Sequence, residues 1–156
     1  MKPLIPTLLC TLALTGVTPA SDIPSSTALK AIQVFEADPG GPNAKAAMGI
    51  IANFADTSDR VHVMLDYGHF PWSTKSRTPK GVEYLVAAYL AGNMEPQLRN
   101  HHPGNRPVDG ILAMCRAYKT LRKDLKVDRI AQLEVWEKLD REGVIKLLPL
   151  ITKTDQ

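Results

Sequence analysis

The sequence predicts an all-α protein, a compact helical bundle of about five main helices. Two observations carry this. Four segments place apolar residues at spacings of three, four and seven, as one face of a helix requires: 28/31/32/35, 47/50/51/54, 82/85/86/89 and 111/114/115/118. The stretches between them are punctuated by Pro, Gly and Asn, which break helices and turn the chain.

The elements follow in order. After a short polar lead-in at 21–25, Ser25 or Ser26 is expected to cap a helix running to about Ala37, with Ala28, Ala31, Ile32 and Phe35 on its apolar face. Asp38-Pro39-Gly40-Gly41-Pro42 ends it. Asn43 is the expected cap of a second helix to about Ala55, facing the core with Ala47, Ile50, Ile51 and Phe54. Val61–Leu65 alternates apolar and polar only at its start, so strand and helix both fit. Helix is preferred, because no second strand offers itself and a lone strand leaves its backbone unpaired.

Residues 67–80 read as a loop. Thr78 then caps a third helix with Pro79 at its first position, and Val82, Leu85, Val86 and Tyr89 as its face. Gly92-Asn93 reads as its end, with a further turn at Met94–Leu98 as an option. A second loop spans 101–107. The fourth helix, Val108 to Lys123, faces inward with Ile111, Met114, Cys115, Tyr118 and Leu121. Asp128 caps the fifth, which carries Ile130, Leu133, Trp136 and Leu139 and stops near Gly143. Val144–Leu148 would add one more turn before a frayed tail.

An irregular helical-hairpin repeat is the second choice. The aromatics Phe35, Phe54, Tyr89 and Tyr118 stand 19, 35 and 29 residues apart, without the fixed period of a repeat array.

Residues 1–20 have the pattern of a cleavable secretory signal peptide. Lys2 supplies the positive start, Leu4 to Val17 an apolar stretch without charge, and Thr18-Pro19-Ala20 the small residues a signal peptidase accepts. The stretch is too short and too rich in proline for a membrane anchor. Leu9 before Cys10 argues against lipid attachment. The expected product is one exported helical domain, residues 21–156, periplasmic or secreted.

The formal net charge is only +3, and loss of Lys2 with the leader lowers it by one. Nucleic acid is therefore not an expected partner, nor is stable membrane insertion. Cys10 leaves with the leader, so Cys115 has no mate for a disulfide and belongs in the core.

Motifs for catalysis are sparse. The sequence has no GxSxG, HExxH or Gly-rich phosphate loop. His62 and Asp66 would share a face if 61–65 were helical, and with His69 they could serve a small hydrolase, metal-dependent or not. His101 and His102 read as a solvated loop pair. Glu134–Lys138 and Glu137–Arg141 read as ion pairs along a wet helix face. No cofactor or metal site is expected. The basic group Lys119, Arg122, Lys123, Lys126 and Arg129 is interrupted by Asp124 and Asp128 and reads as ordinary surface.

The loop His69-Phe70-Pro71-Trp72-Ser73 stands out. Phe70 and Trp72 either fold back as a lid on the core, the favoured reading, or anchor a partner. The leading functional expectation is a small exported binding protein acting by protein–protein contact, an inhibitor or immunity-type neutraliser, with His69, Phe70 and Trp72 at the contact. The alternatives are the hydrolase above and a structural module of an envelope assembly.

Overall fold

A computed structural model describes residues 23–73, 76–124, 126–141 and 143. The leader at 1–20 and the turn expected at 144–148 lie outside the described residues. Within them the chain is all-helical: α1 (Ser25–Ala37), α2 (Ala44–Thr57), α3 (Val82–Asn100), α4 (Pro107–Lys123) and α5 (Ala131–Arg141), with a single 3-10 turn at Tyr67–His69.

The apolar faces read from spacing are those that pack. Ala28, Ala31, Ile32 and Phe35 of α1 are all buried, as are Ile111, Met114, Cys115, Tyr118 and Leu121 of α4. In α2, Ala47, Ile51 and Phe54 are buried and Ile50 is half-buried. The six-residue connection after α1 folds α2 back on it, and α3 and α4 form the larger hairpin. α3 also packs against α1 and α2, and α5 closes over α4. α3 is thus the central element, and it is buried nearly all round from Leu85 to Leu98.

Several local expectations are corrected. α3 does not end at Gly92-Asn93; it runs on to Asn100 with Pro96 inside it. Thr78 does not cap it. The chain enters through Gly81 at φ +80°, where a Cβ would stand 2.4 Å from the carbonyl oxygen of Lys126. Pro24, not Ser25 or Ser26, occupies the first cap position, and Ser25 Oγ accepts from Arg60 instead. Asn43 stands at the start of α2 but its side chain makes no cap bond. Asp128 clamps Lys80, accepting the Lys80 N–H at 2.8 Å while its own N–H donates to the Lys80 carbonyl at 3.1 Å. Gly143 has the left-handed backbone expected after a helix, at φ +71°.

Val61–Leu65 is neither helix nor strand. Its backbone groups have no backbone partner among the described residues, and the N–H and C=O of His62 and of Met64 all go to side chains, the alternation of an extended chain. The argument from unpaired backbone groups fails because side chains of α3 and the loop after it supply the missing partners.

Candidate binding surface

Tyr89, Asn93 and Gln97 lie four residues apart on α3, so they line one stripe of that helix. Asn93 and Gln97 are 0% exposed. A buried amide is tolerated only when its hydrogen-bonding groups are matched, and here they are. Gln97 Oε1 accepts the N–H of His62 at 2.8 Å and of Gly104 at 2.9 Å. Gln97 Nε2 donates to the carbonyls of His62 and Asn93 and to Asn93 Oδ1. Asn93 Oδ1 also accepts the N–H of Arg106, and Asn93 Nδ2 donates to Asn105 Oδ1. Asn105 Oδ1 in turn accepts the Met64 N–H.

The Tyr89 hydroxyl donates to the Met64 carbonyl at 3.1 Å and lies 3.0 Å from His69 Nδ1. A hydroxyl has one proton. With that proton on the Met64 carbonyl, His69 must donate its Nδ1–H to the tyrosine oxygen. Burial pushes the Tyr89 phenol up to about 12, so it stays protonated. Burial also lowers the His69 imidazole, against the opposing pull of Asp66.

The polar stripe therefore fixes two loops at once, residues 61–66 and 101–106. His101, at φ +50°, and His102 both lie exposed at the end of α3, and the N–H of each bonds to the Gln97 carbonyl.

The aromatic loop packs on the same helix. The Phe70 ring meets Tyr89 edge-on at 5.1 Å and Trp72 at 5.6 Å. Phe70 and Trp72 are buried, so they form the lid. Exposure passes to their neighbours: Met64 is 56% exposed, Leu65 58% and Tyr67 82%. Asp66 Oδ1 accepts the Gly68 N–H at 2.7 Å and Ser73 Oγ donates to the Tyr67 carbonyl, so the loop presenting Tyr67 is tied at both ends. Beside it, Tyr67, Phe70 and Pro71 face Ala131, Gln132 and Trp136 of α5 across an open groove of about 470 Å³.

Of His62, Asp66 and His69, Asp66 lies close enough to His69 to act on it through its charge. With 61–65 extended, the shared helical face of His62 and Asp66 is gone, and no hydrogen bond links any two of the three. Among the described residues no group of three His, Cys, Asp or Glu side chains could hold a metal ion.

Four of the five side chains of the basic group are engaged within the fold. Lys119 pairs with Glu137, Arg122 donates to the Val127 carbonyl, Lys126 to the Gly40 carbonyl, and Arg129 pairs with Glu134. Glu137 also holds Arg141, the expected pair. No helix among the described residues is long and apolar enough to cross a membrane.

The apolar faces are legible from residue spacing; the polar stripe is not. Its signal was present: Tyr89, Asn93 and Gln97 recur every four residues and are the polar residues among the buried positions of α3. Comparison with protein-family models, with curated proteins and with solved structures finds no match to this chain.

Proposed function

We propose that this chain is a small exported binding protein that acts by protein–protein contact, inhibiting or neutralising its partner. The leader-like residues 1–20 support export. The observation that carries the binding reading is Tyr67. A tyrosine 82% exposed, on a loop braced against the core, stands beside a groove floored by Phe70 and Trp136. Rigid exposed aromatics lose little entropy on binding and are favoured as interface anchors. Phe70 and Trp72 serve this surface from beneath, by holding the loop in place, and His69 by its bond to Tyr89.

The test is native mass spectrometry of the protein isolated from its own exported fraction. A stoichiometric second protein, lost on Tyr67→Ala with the melting temperature unchanged, is the expected result. Tyr67→Ala that leaves such a complex intact removes this surface from the contact. Retention of the chain inside the cell, or exported protein free of any partner, overturns the reading.

A further inference from the structure

The open edge of residues 61–66 carries an inference independent of the function proposed above. His62 and Met64 turn their backbone N–H and C=O groups toward α3 and the loop after it, where Gln97, Tyr89 and the loop residue Asn105 satisfy them. In extended backbone the groups of alternate residues point to opposite sides. Val63 and Leu65 therefore turn theirs away from α3, and among the described residues nothing hydrogen-bonds to them. Asp66 continues the extended backbone, at φ −91° and ψ 134°. This is a sheet edge with one side built from side chains and the other left open. Such an edge is a template for another strand.

The sequence along the edge is complementary to itself. When two copies meet antiparallel about a two-fold axis at Met64, Val63 of one stands opposite Leu65 of the other. Each such pair exchanges two backbone hydrogen bonds, four in all. On the outward face His62 stands opposite Asp66, so an imidazole meets a carboxylate twice. The same register places Met64 against Met64 and joins Val63 to Leu65 through apolar side chains. His62, Met64, Leu65 and Asp66 are all exposed in the single chain. A two-fold contact of this kind closes on itself and stops at a dimer.

We infer that the occupant of this edge is a second copy of the chain, paired antiparallel through Val63 and Leu65 with His62 and Asp66 crossing between copies. Two substitutions test it in the purified protein. Leu65→Pro removes a donor from each strand and weakens self-association by about 10- to 100-fold. Met64→Cys places two thiols on the non-hydrogen-bonded pair at the axis, where the Cα separation of about 4.5 Å suits a disulfide. Sedimentation velocity is expected to show a dimer that Leu65→Pro returns to monomer. Met64→Cys is expected to cross-link rapidly under mild oxidation, whereas Val135→Cys, exposed on α5, does not. A protein that is monomeric throughout the micromolar range overturns the inference. So does a dimer that cross-links no faster through position 64 than through 135, and this outcome decides the matter even where Leu65→Pro unfolds the chain.

Discussion

Gln97 grips His62 at both ends: its Oε1 takes the His62 N–H at 2.8 Å and its Nε2 gives to the His62 carbonyl at 3.1 Å. A side-chain amide here does the work of a neighbouring strand. The same amide takes the N–H of Gly104, so one residue on α3 fixes two connections far apart in the chain.

Gln97→Leu keeps the bulk and removes every one of these bonds. It strands the N–H groups of His62 and Gly104, both part-buried where they meet the amide. Orphaned buried groups cost about 1–3 kcal/mol each, so a loss of about 3 kcal/mol is expected in urea denaturation. A loss below about 0.5 kcal/mol, the range of ordinary surface changes, would show that the loops hold themselves.

This residue also shows where sequence reading stops. Helix faces were legible because burial of apolar side chains repeats with the turn of the helix, and Ala28, Ala31, Ile32 and Phe35 needed nothing else. The end of α3 was not legible. Gly92-Asn93 has the composition of a helix stop, yet each residue serves a distant contact. A Cβ on Gly92 would stand 2.4 Å from the Ala113 Cβ, and Asn93 bonds the loop at 105–106. The helix also continues through Pro96, which has no N–H for the Gly92 carbonyl; packing around α3 outweighs one lost bond. The extended segment was not legible for a similar reason, because its partners are side chains 25 to 41 residues away. For the candidate surface, the aromatic loop was noticed, but the exposed residue in it is Tyr67, and only the fold separates lid from anchor.

The helix crossing gives a contrast among three glycines. Gly92→Ala would drive its Cβ to 2.6 Å from the Asp109 carbonyl oxygen, and Gly110→Ala to 2.7 Å from Tyr89 Cδ2. Each is expected to destabilise by about 3 kcal/mol, the upper range for overpacking. Gly110→Ala should also move Tyr89 and change the near-ultraviolet circular dichroism of the aromatic loop. Gly49, exposed within α2, has nothing within 4 Å of an added Cβ. Gly49→Ala should therefore stabilise by about 0.5–1 kcal/mol through helix propensity. Equal effects at the three positions, measured by chemical denaturation, would refute the close crossing.

His69 predicts a pH dependence. Desolvation lowers its folded-state pKa below the ordinary imidazole value of 6.5. The unfolded chain then binds the proton more readily, so stability rises with pH across this window. His69 contributes fully above 6.5, and its contribution is lost as pH falls through the depressed folded value. Protonation leaves the Nδ1–H bond to Tyr89 in place, so the effect comes from burying charge. In His69→Asn this part of the pH profile should flatten, read by denaturation at a series of pH values. An unchanged profile would assign the acid sensitivity to other groups.

Cys115 reports on the whole fold. It is 3% exposed in the face of α4, and burial, reinforced by Asp140 and Glu137, pushes its thiol up to about 12. Only the thiolate reacts, so a thiol reagent must wait for the chain to open. Where reclosing outpaces labelling, the rate follows the free energy of opening. A loss of about 3 kcal/mol in Gln97→Leu should then speed labelling about 100-fold, since each 1.4 kcal/mol is a factor of ten. The amide and the thiol share no hydrogen bond, so such acceleration would tie the polar stripe to global stability. Labelling of the native protein at the rate of a free thiol would mean that α4 opens without the rest. Fast labelling in neither protein would place the cost of Gln97→Leu in the loops alone, leaving the helical core closed around Cys115.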